Sequence, residues 1–334
     1  MHLCDTTAVV GAGSWGTALA VILARNGHRV HLWGHNPGHI ARMCRERANS
    51  RYLPETPLPE RLQPIAELAT ALSGVRDVMV VVPSAAFAEV LEQVAPLLAK
   101  DARVAWATKG LETGTGNPLH CSAERILPGR ALAVLSGPSF AREVAKGLPT
   151  AVTVASRDGA FAQELAAAFH NASFRVYTSD DVLGVELGGA VKNVLAIATG
   201  MADGLGMGAN ARAGLITRGL AELRRLGRAM QARSETFMGL SGVGDLILTC
   251  TDDQSRNRRL GLALGQGLQP ASALRQIGQT VEGLRTSADV HHLARKVGIE
   301  MPICEQVHLV LSGQLSAREA ANNLMLRERK SELE

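Results

Sequence analysis

The sequence predicts an α/β domain built on a mostly parallel sheet with helices on both faces, followed by an all-α domain. Three observations carry this. Val/Ala-rich runs of strand length alternate with helical stretches through the first half of the chain. A glycine-rich turn joins the first such run to the first helix. After about position 178 the strand-like runs stop and only helical patterns follow. A chain of 334 residues has room for about two domains. The expected division is 1–180 and 181–334.

In order, "TAVVGAG" reads as a short apolar strand ending in glycines, "WGTALAVILARNG" as a helix closing at Gly27, and "RVHLWG" as a second strand. Further strands are expected at 77–83, 103–108, 131–137, 150–156 and 174–179. Their near-continuous apolar character is that of strands buried on both faces of a parallel sheet. "AFAEVLEQVAPLLA" (86–99) has the apolar spacing of a covering helix. Beyond the boundary, "VLGVELGGAVKNVLAIATGMADG", "ARAGLITRGLAELRRLGRAM" and "TSADVHHLARKVG" all read as helices. The charged tail "LRERKSELE" is expected to fray into solvent.

Bulk properties narrow the function. The net charge of +4 is too small to argue for nucleic acid, and with 3% aromatic residues stacking platforms for single strands are not expected. Cys4, Cys44, Cys121, Cys250 and Cys304 are odd in number and widely spaced. That pattern indicates neither a disulfide framework nor a zinc site and fits a reducing compartment. No signal-peptide pattern and no uninterrupted apolar run near membrane length is read, so a cytoplasmic protein without a membrane span is expected. No metal-ligand cluster is legible.

Gly11-x-Gly13-x-x-Gly16 directly follows the first strand and opens the first helix. In that setting Gly11 makes the tight turn, Gly13 lets a pyrophosphate approach the backbone, and Gly16 permits close helix–strand contact. The helix N-terminus then offers N–H groups to the anion. This is the Rossmann-type fingerprint, and it predicts NAD(H) and/or NADP(H). Strand two ends "LWGHNP" with no carboxylate for the ribose hydroxyls. His35, with Arg42 and Arg45 nearby, tilts the expectation toward NADP; His35 could equally be a plain loop residue.

The second half carries the chemistry. Lys192 and Asn193 stand together in an apolar helix, one turn after Gly188–Gly189. Lysine is among the residues least willing to enter a core, yet a snorkelling surface lysine would read the same way. Asp245 and Thr249 are spaced to share a helix face, although Asp245 could instead cap that helix. Ser255, Arg256 and Asn257 follow in a polar loop suited to phosphate oxygens, or simply to water. Lys109 lies just past one strand; Gly137, Ser139 and a new helix start lie just past another, where open α/β sheets hold ligands. Together this is more anion-binding equipment than a dinucleotide needs, and it points to a small phosphorylated substrate.

These segments resemble the bacterial NAD(P)-dependent glycerol-3-phosphate dehydrogenases over essentially the whole chain. The resemblance is carried by "GAGSWGTALA", "LWGHNP", "VVVPS", "WATKGLE", "SGPSFAREVAKGLPTA", "FRVY", "GVELGGAVKNVLAIATGMADGLGMGANARAGLITRGL", "GVGDLILTCTDDQSRNRR" and "VEG", in that order. It implies a C-terminal domain like that of 6-phosphogluconate dehydrogenase, a homodimer, and interconversion of dihydroxyacetone phosphate and sn-glycerol 3-phosphate for phospholipid synthesis. It further implies Lys192 as catalytic acid/base, and Lys109, Gly137, Ser139, Asp245, Ser255, Arg256 and Asn257 as substrate contacts. Ser14, Trp15, His35, Lys109, Ala141, Arg256 and Glu282 are implied as cofactor contacts. Thr280 stands where relatives can carry an aliphatic residue and is left out. A related β-hydroxyacid or 6-phosphogluconate-type dehydrogenase, or a non-catalytic NAD(P)-sensing module, are the alternatives.

Overall fold

A computed structural model describes residues 6–328. Cys4 and the end of the charged tail lie outside the described residues. The first half contains ten strands and seven helices among the described residues. These are β1 (Thr6–Val10), α1 (Ser14–Arg25), β2 (Arg29–Trp33), α2 (Pro37–Glu46), β3 (Ala48–Asn49), β4 (Leu53–Pro57), β5 (Leu62–Ile65), α3 (Leu68–Leu72) and β6 (Asp77–Val80). They continue with α4 (Phe87–Val94), β7 (Arg103–Trp106), α5 (Leu119–Ile126), β8 (Leu132–Ser136), α6 (Ala141–Lys146), β9 (Thr150–Ser156), α7 (Gly159–Phe169) and β10 (Phe174–Ser179).

Eight of the strands form one sheet in the order β10-β9-β8-β7-β6-β1-β2-β5, and every pairing is parallel except β8 with β9. Alternation along the strands feeds two cores. Val9, Met79 and Ala105 face α1, α6 and α7, whereas Val10, Val80 and Trp106 face α3, α4 and α5. The strand order reverses at β1, between β2 and β6. That switch point is where open α/β sheets hold a dinucleotide.

The expected strands at 150–156 and 174–179 have those bounds, while three others stop short of the apolar runs, at Val80, Trp106 and Ser136. Residues past those points leave the sheet to form the loops that face the site. The predicted helix at 86–99 is shorter: 3₁₀ turns at Ser84–Ala86 and Ala95–Leu97 flank α4, the second holding Pro96. The antiparallel pair β3–β4 and the edge strand β5 were not foreseen. Pro54, Pro57, Pro59 and Pro64 make that stretch read as loop, and edge strands are where proline is tolerated.

All described elements after Ser179 are helical: α8 (Val182–Gly204), α9 (Gly208–Ala229), α10 (Asp245–Thr251), α11 (Arg256–Gly265), α12 (Pro270–Ile277), α13 (Glu282–Lys296), α14 (Pro302–Leu311) and α15 (Ala317–Met325). By length and composition α8 would pass for a membrane-crossing helix, which the sequence reading overlooked. In the fold, 94% of its most apolar window is buried. It is the central helix around which the third core is built.

Candidate active site

The glycine turn is shaped by backbone contacts. Gly11 adopts φ +127°, and a Cβ there would collide with the Val81 carbonyl just past β6. A Cβ on Gly16 would collide with the Gly11 carbonyl, so the start of α1 rests directly on the turn. Around Gly13 there is open space. The N-terminus of α1 has no side-chain cap, and the indole N–H of Trp15 is buried without a hydrogen-bond partner. Room, free donors and a positive helix end fit a pyrophosphate. Asn49, wholly buried in β3, pins the turn by donating to the Ala12 carbonyl (3.1 Å) and the Thr17 hydroxyl (2.8 Å). Sequence reasoning missed it, because nothing local marks an asparagine in a proline-rich stretch.

Lys192 lies in the middle of α8, 6% exposed, which removes the snorkelling alternative. Its Nζ donates to Asp245 Oδ1 at 2.5 Å and Thr249 Oγ1 at 3.0 Å. The other oxygen, Oδ2, accepts from Lys109 Nζ at 2.8 Å, and the same amine donates to the Gly137 carbonyl at 2.9 Å. One carboxylate thus holds two lysines from the two halves of the chain. Asp245 is 1% exposed at the first position of α10, and its oxygens are spent on these amines rather than on a cap. The glycine pair allows the approach: a Cβ on Gly188 would collide with the Ser241 carbonyl, and one on Gly189 would press on Ser136.

Burial pulls the Lys192 pKa down; Asp245 opposes this and Lys109 reinforces it, leaving about 7. Burial works against charge on Asp245 too, but the two lysines hold its carboxyl below the usual range. Gly137 adopts φ +142° with its missing Cβ against Val152, and its carbonyl also accepts from Ser139 Oγ (2.9 Å).

A second cluster begins at Asn193. Its Oδ1 accepts from Asn257 Nδ2 (2.8 Å), and Asn257 Oδ1 accepts from the Gly283 N–H (2.9 Å). These amides join α8, α11 and α13. Ser255 caps α11 by accepting from the Arg258 N–H. Arg256 sits half-buried at the first turn of α11 with no hydrogen bond or ion pair among the described residues; burial lowers its pKa and Glu282 opposes this. Glu282, whose pKa burial raises, accepts from Ser84 Oγ at 3.1 Å and so meets the N-terminal half. Ser84 was also missed.

Ala141 opens α6 and packs, like Trp15, on the core beneath α1. His35 is exposed, two residues beyond the end of β2. Nearby, His39 feels burial and the charges of Arg51, Arg42 and His35. Arg45 is exposed on α2 and not among the charges acting on His39. A cavity of about 540 Å³ between α8, α9, α14 and α15 shares no lining residue with these clusters. No group of three or more His, Cys, Asp or Glu side chains placed to hold a metal occurs among the described residues.

The parallel sheet, the glycine turn at its switch point and the buried lysine of the helical half define a two-domain NAD(P)-dependent dehydrogenase. Comparison with known proteins narrows the class. Residues 6–162 match the model for the NAD-dependent glycerol-3-phosphate dehydrogenase N-terminus, and residues 181–322 the model for its C-terminus. The glycerol-3-phosphate dehydrogenase [NAD(P)+] of Alkalilimnicola ehrlichii is 58% identical over 320 residues, 96% of each chain. That of Shigella boydii is 56% identical over 326 residues, 97% of this chain and 96% of the relative. The crystal structure of glycerol-3-phosphate dehydrogenase from Coxiella burnetii superposes with a TM-score of 0.95 at 50% identity, covering 97% of this chain and 99% of that one. The chain belongs to the NAD-dependent glycerol-3-phosphate dehydrogenase family. A D-mandelate dehydrogenase at 14% identity and TM-score 0.64 shares the fold alone.

Proposed function

We propose that Lys192 is the general acid/base of an NAD(P)-dependent glycerol-3-phosphate dehydrogenase that interconverts dihydroxyacetone phosphate and sn-glycerol 3-phosphate. The observation that carries the assignment is the buried amine held on the Asp245 carboxylate that also holds Lys109, a setting that draws its pKa down to about 7. A secondary alcohol that loses hydride must also lose its hydroxyl proton, so a base has to stand within hydrogen-bond reach. In reduction, protonated Lys192 polarises the C2 ketone and delivers its proton to the forming alkoxide. In oxidation, neutral Lys192 takes the hydroxyl proton. The nicotinamide supplies or accepts the hydride when bound.

The remaining residues position and neutralise. Asp245 and Thr249 aim the Lys192 amine. Lys109 supplies a second cation, and Gly137 with Ser139 lies beside it. Arg256, Ser255 and Asn257 at the start of α11 offer charged and neutral donors to the substrate phosphate, which would fix C2 for reaction. Gly11, Gly13, Ser14, Trp15 and Gly16 would hold the pyrophosphate, with Ala141 and Glu282 bordering the cofactor. The charges of Arg42 and Arg51 acting at His39, close to His35, support use of NADP alongside NAD; kcat/KM for NADPH above that for NADH is the expected result.

The reductive direction, feeding phospholipid synthesis, and a homodimer are what the resemblance favours. Cytoplasmic residence is supported by free thiols at Cys44, Cys121, Cys250 and Cys304. The test is Lys192→Ala. Turnover of dihydroxyacetone phosphate is expected to vanish while reduced cofactor still binds, followed by fluorescence titration. Full activity in that variant, or activity on hydroxyacids alone in the parent, would remove the assignment.

A further inference from the structure

Six positions before Lys192, α8 carries a second charged residue. Glu186 is 4% exposed, in a stretch that is otherwise apolar or glycine. A carboxylate is tolerated there only if its lone pairs are filled. Oε1 accepts from the Trp106 indole N–H (3.1 Å) and the His120 backbone N–H (2.9 Å), and Oε2 meets His120 Nδ1 at 2.5 Å. Burial works against charge on the His120 ring, but its hydrogen bonds to Cys121 and Glu186 outweigh this and raise its pKa to about 10. Those two are the titratable groups acting on the ring.

Each partner has a structural meaning. Trp106 ends β7, fully buried and packed edge-on against Phe87. His120 lies in the first turn of α5, whose N-cap Pro118 supplies no side-chain cap, so the Glu186 carboxylate serves that helix end instead. Between these anchors runs the segment that carries Lys109, its far part closed by a bridge between Leu111 and Pro118. One carboxylate therefore grips both ends of that segment. Lys109 and Lys192 reach the same Asp245 from separate elements, so their separation depends on how α8 is docked against 106–120.

We propose that Glu186 is a positioning residue for proton transfer, clamping the Lys109 segment to the helix that bears Lys192. This rests on the reading of Lys192 as the acid/base. Glu186→Gln keeps the shape and an acceptor for Trp106 but loses the charge opposite the His120 ring. With Lys109 loosened from Asp245, the carboxylate acts on Lys192 alone and a neighbouring cation recedes. Both changes raise the pH at which Lys192 gives up its proton. Deleting an anion acts directly in the opposite sense, so the two effects differ in sign.

The test is kcat, KM and the pH profile of dihydroxyacetone phosphate reduction by Glu186→Gln, well below its melting temperature. A fall in kcat of roughly 10–100-fold is expected, with cofactor KM unchanged and the descending limb of kcat/KM moved to higher pH. A lower melting temperature with unchanged kcat and limb would overturn the proposal, as would a limb moved to lower pH. If that variant does not fold, His120→Gln and Trp106→Phe, each removing one anchor, must move the limb upward. Lys192→Ala in the same assay keeps the two readings apart. If it is active, the acid/base assignment fails; if it is inactive while the Glu186 variant is unaltered, only this proposal fails.

Discussion

A lysine amine buried among apolar groups beside a second cation cannot keep its aqueous pKa. Lys192 was legible in the sequence because charge in an apolar helix stands out, and Asp245 and Thr249 because their spacing shares a face. How the charges balance was not legible, since it depends on which carboxylate oxygen each lysine meets. The structure places both lysines on one carboxylate, and burial prevails over that attraction. Arg256 is the contrasting cation: it makes no ion pair or hydrogen bond within the described protein, which suits a ligand phosphate. Arg256→Ala is expected to raise KM for dihydroxyacetone phosphate by about tenfold or more, the usual scale for losing charge-assisted hydrogen bonds. Steady-state kinetics check this, and an unchanged KM would take Arg256 out of the site.

At the level of elements, the long apolar strands and the helix carrying Lys192 were readable because their periodicity and length are strong signals. The β3–β4 pair and β5 were not, because prolines mask short edge strands, and with them went Asn49, whose partners are distant in sequence. Glu186 gave the same signal as Lys192, an isolated charge in α8, and could have been found by it. The glycine turn makes separable predictions. Gly16→Ala drives a Cβ into the Gly11 carbonyl and is expected to cost about 1–3 kcal/mol of stability as well as cofactor affinity. Gly13→Ala meets open space in the protein at an ordinary φ of −77° and should leave the melting temperature alone while weakening cofactor binding. Thermal melts with and without cofactor separate the two; equal destabilisation in both variants would contradict the assigned roles.

For the molecule as a whole, an α/β half and a helical half were predictable from the loss of strand pattern near position 178. Their union was not. Lys109 reaching Asp245, Ser84 reaching Glu282 and Trp106 reaching Glu186 are contacts between residues far apart in sequence, and these bring two sets of candidates together. The lysine from the α/β half lowers the pKa of the lysine from the helical half, so the proposed proton transfer would depend on the assembled chain. This makes opposite pH dependences in the two reaction directions. With Lys192 as the proposed acid/base, reduction needs the amine protonated, so kcat/KM should fall as pH rises through its pKa of about 7. Oxidation needs it neutral, so kcat/KM should fall as pH drops through the same value. Measuring kcat/KM for dihydroxyacetone phosphate and for sn-glycerol 3-phosphate across that range tests the central claim most directly. Opposed limbs that break near neutrality, lost in Lys192→Ala, are the predicted result; profiles with no break near neutrality in either direction would contradict it.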